Sequence, residues 1–442
     1  MAGRLHIRTF GCQMNRYDSD RMAELLGAEG YALTDEPDEA DVVLVNTCSV
    51  RARPERKVQA FLQRFAADKR RGRTLVLGVT GCVAQQHGER WLARIPELDL
   101  VLGTDAIPEL PAMVRDAHGG TRRCEVGEDP DGAPRFLEAH PAHRVPGISE
   151  LVTVGKGCDN YCAYCIVPLV RGRERSRPAG AIVDEVRRLV EAGTREITLI
   201  GQNVNSYGRG QAEGVGFPAL LDRVAGVGGL VRLRFTTSHP RDFSEELARR
   251  FGELPVLCDW LHLPFQAGAD PVLKRMNRGY TAAEYRDKVA LFREYAPEGA
   301  VGADCIVGFP GETDADFMAT MDLVEAVRFD QLFSFKYSPR PGTASARLPD
   351  DVPAEVKAER LRWLQARQAE ITQEKNRAFM GRTVDVLVEG ASARGDQLSG
   401  RTTTNHIVNF IAEAGRIGSV VPVMVEEGLA NSLRGRLALT AA

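Results

Sequence analysis

Cysteine is scarce in this chain, nine in 442 residues. So thin a supply over such a length excludes a secreted disulfide scaffold. No apolar run approaches the roughly 18 residues that a membrane span needs, so none is expected. The first ten residues carry Arg4 and Arg8 and no long apolar stretch, which predicts no secretory leader. An excess of one charge is missing too. The 57 basic and 60 acidic side chains leave a net −3, which neither demands nor forbids nucleic acid, because local patches decide that. Nor is there a disordered bias: 43% hydrophobic and 26% charged residues are ordinary for globular protein. The length exceeds one ordinary core and predicts about three domains. The expectation is a cytoplasmic protein, free of the membrane, with its thiols reduced.

The few cysteines present are not scattered. Cys158, Cys162 and Cys165 stand at a Cys-x3-Cys-x2-Cys spacing, with Tyr161 and Tyr164 between them. A loop this short aims its sulfurs at one point, which suits a metal ion or an iron–sulfur cluster. A structural site takes four protein ligands, and this loop supplies three, which leaves one position open to a small molecule. A disulfide, or a zinc knuckle short of a fourth ligand, is the bland alternative.

A second triad is spread along residues 1–125. Residues 5–10, 41–45 and 74–79 read as buried strands, alternating with helical stretches such as 18–27, and predict an open parallel sheet. Cys12, Cys48 and Cys82 each fall just beyond a strand's carboxyl end. In such sheets those ends line one edge, where ligands bind. Gly11 and Gly81 would let backbone approach a bulky ligand. Three unrelated core cysteines are the alternative; the shared topological position favours a second three-ligand cluster.

Residues 126–147, with Pro130, Pro134, Pro141 and Pro146, read as a linker. Over 148–378, six runs (151–156, 197–203, 231–237, 260–265, 301–307, 331–337) alternate with helices, among them 181–192. Thr281 with Glu284 and Thr313 with Asp316 form capping boxes. Six such units predict a partial (β/α)6 barrel with its chemistry at the strand carboxyl ends, where the 158–165 loop falls. Residues 353–380 read as a charged helix with Leu361, Leu364 and Ile371 as its apolar seam. Residues 379–442 carry five short β-type runs (383–388, 401–405, 406–412, 419–425, 433–439), which predict a small closed β-barrel that either binds RNA or only docks. The fold class is therefore α/β with a small β-barrel at its end. Arg171, Arg173, Arg175 and Arg177 could hold phosphates, whereas the run Lys69 to Arg73 reads as a solvated turn. The stretch 308–311 lacks the Gly-Lys-Ser/Thr of a phosphate loop, so nucleotide hydrolysis is unsupported. Cys124, Cys258 and Cys305 belong to neither triad and read as structural.

Nearly the whole chain resembles the methylthiotransferases of the radical S-adenosylmethionine (SAM) superfamily, most closely the MiaB-type branch that acts on tRNA. The resemblance is carried by Thr9-Phe10-Gly11-Cys12-Gln13-Met14-Asn15, Asn46-Thr47-Cys48-Ser49-Val50-Arg51 and Gly81-Cys82-Val83-Ala84-Gln85, with the 158–165 loop. It continues through 170–178, 201–207, Asp304-Cys305-Ile306-Val307-Gly308-Phe309-Pro310-Gly311-Glu312-Thr313 and Gly400-Arg401-Thr402. It implies two 4Fe-4S clusters, one on Cys158, Cys162 and Cys165 that cleaves SAM to a 5′-deoxyadenosyl radical. The other, on Cys12, Cys48 and Cys82, would carry the sulfur to be inserted and methylated. The implied substrate is N6-isopentenyl-adenosine at position 37 of tRNA, beside the anticodon, converted to its 2-methylthio derivative. The final barrel is implied to be a TRAM domain. Implied partners are tRNA, an electron donor such as flavodoxin or ferredoxin, and an unidentified sulfur donor. Gln202, Asn203, Ser238, His239, His262, Gln266 and Ile306, at or near strand carboxyl ends, become candidates for the SAM pocket. Two departures stand out: Ala267 and Ala269 replace the family's usual serines, and His406 its usual arginine. The competing readings are a methylthiotransferase for a ribosomal protein or another modified adenosine, and a non-catalytic iron–sulfur RNA-binding protein.

Overall fold

The computed structural model describes residues 3–49, 52–127, 136–137, 145–210, 214–392 and 395–438. Most of the expected linker 126–147, and Val50-Arg51 of one motif, lie outside the described residues.

The amino-terminal unit is an all-parallel sheet of six strands: β1 Gly3–Phe10, β2 Tyr31–Leu33, β3 Val42–Thr47, β4 Val76–Gly81, β5 Leu100–Leu102 and β6 Arg123–Glu125. Its order is β2-β1-β3-β4-β5-β6. The central run Val42-Val43-Leu44-Val45 is apolar at every position because helices cover both faces. Val43 and Val45 pack with Val58, Leu62 and Phe65, whereas Val42 and Leu44 pack with Met22 and Leu26. The first helix spans Gln13–Ala28, starting five residues before the expected 18. Asn15 is the reason: its Oδ1 accepts from the Cys12 N–H at 3.4 Å and from the Cys12 thiol at 3.3 Å, so the helix is capped at Cys12.

The central unit holds six parallel strands in two groups: β7 Ser149–Thr153, β10 Glu196–Ile200 and β11 Arg232–Phe235, then β12 Trp260–His262, β13 Ala300–Val307 and β14 Gln331–Lys336. A single bridge, Leu233 to Leu257, joins the groups into a partial barrel. A two-residue pairing, β8 Gly155–Lys156 with β9 Arg175–Ser176, closes the first mouth loop. Four strands stop two or more residues before the expected carboxyl end: β7 at Thr153, β10 at Ile200, β11 at Phe235 and β12 at His262. Beyond the last two lies left-handed backbone, at Thr237 (φ 72°) and Gln266 (φ 69°). Left-handed backbone at residues other than glycine concentrates at functional sites. Both capping boxes form.

The helix Ala354–Arg377 buries Leu364 and Ile371 in the barrel core. It leads to a closed barrel of β15 Thr383–Ala391, β16 Leu398–Arg401, β17 Ile407–Ile411, β18 Val420–Gly428 and β19 Leu433–Leu437. The strand expected at 401–405 lies instead at Leu398–Arg401. Thr402 Oγ1 accepts from the His406 N–H at 3.1 Å and Asn405 is left-handed (φ 66°), so side chain–backbone bonds make a turn there.

Buried charges hold the units together. Arg171 pairs with Asp18 at 2.6 Å, and Arg21 with Glu185 at 3.1 Å, across the sheet–barrel contact. On the other side Arg234 donates to the carbonyls of Thr403 (2.9 Å) and Thr402 (2.6 Å), and Arg232 to that of Asp385 (2.9 Å). Arg232 opens β11, so the small barrel is docked against the strands' amino ends, away from the mouth.

Candidate active site

Because β1, β3 and β4 are neighbours in one parallel sheet, the cysteines that follow them meet at one edge. The Cys48 thiol makes hydrogen bonds to both Cys12 and Cys82. Sharing protons in this way, the Cys48 bond first, pulls Cys12 down to about 6 and Cys82 to about 7, assisted by the positive charge of Arg171; Cys48 is pushed up. Amide N–H groups of Asn15 and Met14 point at the Cys12 sulfur from the helix start. The glycines permit the convergence. A Cβ on Gly11 (φ 155°) would lie 2.7 Å from that of Cys48, and one on Gly81 (φ 85°) 2.2 Å from Asn46 Oδ1. Asn46 Nδ2 in turn donates to the Asn15 carbonyl at 2.8 Å and to Ser19 Oγ at 2.9 Å, which sets the floor of the edge.

The second triad sits on the mouth loop after β8. Gly157 (φ 77°) turns the chain where a Cβ would meet the Arg173 carbonyl at 1.9 Å, and its N–H donates to Gln202 Oε1 at 2.6 Å. The Ala163 N–H donates to the Met276 carbonyl (2.9 Å), and the Ser345 N–H to that of Ala163 (2.8 Å), clamping the loop from two sides. Burial pushes Cys158 up to about 11 and Cys165 to about 12. Metal ligation would displace those protons. Among the described residues, no group of three or more His, Cys, Asp and Glu has the geometry to hold a single metal ion. Each triad offers three thiols, a donor set that fits a multi-iron cluster with one corner open.

One contact links the two triads' surroundings: Cys82 packs against Ile166, the residue after Cys165, and against Val170 in the short helix Val167–Arg171. Arg171 ends that helix, buried, and its Nη1 has no hydrogen-bond partner among the described residues.

Of the seven residues expected in the cofactor pocket, four present open valences. Gln202 Nε2, Asn203 Oδ1, Ser238 Oγ and His239 Nε2 are buried without a partner among the described residues. An unsatisfied buried polar atom costs on the order of 1–3 kcal/mol, so four at one barrel mouth point to a polar ligand. Gln202 and Asn203 line a pocket with Gly155, Gly157, Glu174 and Ser176. His262 differs: its Nδ1 accepts from the Thr237 N–H at 3.3 Å, and its Nε2 lies 3.6 Å from Asp304. Gln266 is tied through its backbone to Asp304 and Ile306 (2.9 Å each). Ile306 packs beside Ala163, Ala267 and Phe309, with Ala269 in the same apolar cluster, so the two replaced serines lie in packing.

The arginine run is engaged in ion pairs within the protein. Arg171 and Arg177 are buried; Arg177 pairs with Glu185, Arg175 with Asp105 (2.8 Å) and the exposed Arg173 with Asp159 (3.1 Å). The helical turn and the sheet–barrel contact bury what the charge pattern alone reads as surface. His406 is likewise turned inward, its ring 4.7 Å from that of Phe379 and its Nδ1 2.9 Å from Thr404 Oγ1. One residue escaped the sequence reading altogether: Arg278, whose Nη1 donates to Cys162 Sγ at 3.2 Å. It lies over 110 positions from that cysteine, and the only sequence signal was its place in Asn277-Arg278-Gly279-Tyr280.

Comparison with known proteins agrees with this division. Family models match residues 4–103 (the uncharacterized protein family UPF0004), 152–324 (the radical SAM superfamily) and 377–438 (the TRAM domain). Among solved structures, the radical SAM methyltransferase TsrM from Kitasatospora setae, with cobalamin and a [4Fe-4S] cluster bound, has a similar fold. The TM-score is 0.56 at 16% identity over 78% of this chain and 77% of that one. The tRNA-2-methylthio-N(6)-dimethylallyladenosine synthase of Syntrophotalea carbinolica is 48% identical, covering 97% of this chain and 98% of its own. That of Geobacter metallireducens is 52% identical over 98% of both chains. By identity held across almost its entire length, the chain belongs to the family of the tRNA-2-methylthio-N(6)-dimethylallyladenosine synthases.

Proposed function

We propose that this protein is a transferase that installs a methylthio group on N6-isopentenyl-adenosine at position 37 of tRNA, replacing the C2–H by C–SCH3. The observation that supports the reading is the contact of Cys82 with Ile166 and Val170, which sets the amino-terminal triad beside the segment that follows Cys165. Cys158, Cys162 and Cys165 would hold one 4Fe-4S cluster and Cys12, Cys48 and Cys82 the other, each with one iron left for exogenous ligand. When bound, the clusters and SAM supply the electron, the radical chemistry, the sulfur and the methyl group, which no protein acid or base can offer.

The chain's own groups bind, orient and shield. Gln202, Asn203, Ser238 and His239 have the free donors and acceptors that a zwitterionic, hydroxylated ligand such as SAM requires. His239 stays neutral, held down to about 3 by burial first and by Arg278 next, so it can bond without adding charge. His262, Gln266 and Ile306 shape the opposite wall through the strand ends. Asp18 fixes Arg171 between the triads. Tyr161, half-exposed at the rim (52%), offers an aromatic face to a base splayed out of the anticodon loop. Since the TRAM barrel docks on the far side, the mouth is left clear for RNA.

The same reading divides the chain at 1–125, 148–378 and 379–442, places it in the cytoplasm, and calls for a low-potential one-electron donor of the flavodoxin or ferredoxin class. Among the described residues no helix is long and apolar enough to cross a bilayer. The test is nucleoside mass spectrometry on isopentenylated tRNA incubated with reconstituted enzyme, SAM, sulfide and reductant. A 2-methylthio product is expected; SAM cleavage with unchanged nucleosides would refute the assigned substrate.

A further inference from the structure

Arg278 is among the most thoroughly buried charges of the barrel, 4% exposed. Its Nε donates to Tyr280 OH (2.9 Å), its Nη2 to the Pro264 carbonyl (2.9 Å), and its Nη1 to Cys162 Sγ (3.2 Å) and toward Tyr164 OH (3.4 Å). Every partner among the described residues is a neutral oxygen or the thiol; none is a carboxylate. Three other buried arginines do have one: Arg171 has Asp18, Arg177 has Glu185, and Arg234 has Glu196, whereas Arg232 donates to backbone carbonyls at the edge of the small barrel. A guanidinium does not deprotonate in proteins, and a buried cation without a counter-charge is strongly unfavourable. Burial holds the phenols of Tyr164 and Tyr280 in their protonated form, so among these partners the sulfur of Cys162 is the one that becomes anionic when it ligates iron. A cubane core of two positive charges on three thiolates is singly negative, and doubly so after taking one electron from an external reductant.

We propose that Arg278 is a positioning residue whose buried charge is the counter-ion of the centre held by Cys158, Cys162 and Cys165, and that it thereby eases reduction of that centre. The inference rests on the cluster assignment made above. Charge and hydrogen bonds at cluster sulfurs are the levers by which a protein sets a cluster's potential. The arginine keeps its proton throughout, and only the electron moves.

The test uses the full chain with Cys12, Cys48 and Cys82 replaced by alanine, so that one cluster titrates, followed by EPR during a redox titration with one-electron mediators. Arg278→Gln removes the charge and keeps a polar side chain; the equilibrium constant for reduction is expected to fall at least about tenfold, about 59 mV for a one-electron couple. Arg278→Lys keeps the charge and should titrate within about threefold of the parent, as should Tyr280→Phe, which removes only the neutral contact at Nε. An Arg278→Gln protein with full iron and the parent's potential overturns the proposal, as does an Arg278→Lys protein shifted as far as the glutamine variant. Should the glutamine variant hold no iron, the lysine variant decides: it must load and titrate near the parent, and failure to load overturns the counter-ion role. A parent that carries no iron overturns the cluster assignment itself, a separate outcome read by iron analysis before any titration.

Discussion

At the scale of single residues, position is decided by what a side chain would collide with or leave unpaired. Gly157 combines φ 77° with a carbonyl 1.9 Å from where a Cβ would stand. Gly157→Ala is therefore expected to open the 158–165 loop and leave about half of the roughly eight irons that two cubanes contain, measured by iron and sulfide analysis. His239 makes a different kind of prediction. Its folded value lies near 3 against an ordinary 6.5, so the neutral ring is favoured by folding. Above pH 6.5 that contribution is fully present; as pH falls toward 3 the unfolded chain takes up a proton that the folded one refuses, and stability is lost. His239→Gln should flatten the fall of Tm between about pH 6 and pH 4, followed by thermal denaturation of the cluster-free protein. An equally steep fall in the variant would contradict the buried neutral ring.

At the scale of elements, the strands do two jobs at their two ends. Their carboxyl ends stop early and turn polar groups into the mouth, while nearer their amino ends Arg232 and Arg234, the latter held by Glu196, reach carbonyls of the TRAM barrel. Because Arg234 binds Glu196 at 2.9 Å as well as two carbonyls, Arg234→Met leaves a buried carboxylate unpaired. A loss of about 3–5 kcal/mol is expected, visible as a lower denaturant midpoint. SAM cleavage should persist, since no mouth residue is touched; its loss would mean that the barrel's two ends are coupled. The Gly400-Arg401-Thr402 stretch belongs to this contact through the carbonyls of Thr402 and Arg401.

At the scale of the whole molecule, function requires two separately folded edges to share a chamber. Replacing Cys158, Cys162 and Cys165 together by alanine should leave about half the iron and abolish 5′-deoxyadenosine formation. Replacing Cys12, Cys48 and Cys82 should leave about half as well, keep that cleavage and stop sulfur insertion. Methylthio product from the second variant would refute the sulfur-holding role of the amino-terminal edge.

Local chemistry was legible in the residues themselves. The spacing of Cys158, Cys162 and Cys165 constrains a loop whatever surrounds it, and alternating apolar runs place Cys12, Cys48 and Cys82 beyond strand ends, because periodicity is a property of the backbone. The closed barrel of residues 383–437 was legible for the same reason, apart from the turn that Thr402 and Asn405 impose. The arginines were not. Arg171 and Arg177 read as possible phosphate-holding charges and Arg278 drew no reading, since a sequence does not say which cations another unit will bury; their partners Asp18, Glu185 and Cys162 are brought up only when the sheet, the barrel and its loops pack together. Burial and pairing of charge are long-range, and only the tertiary structure decides them.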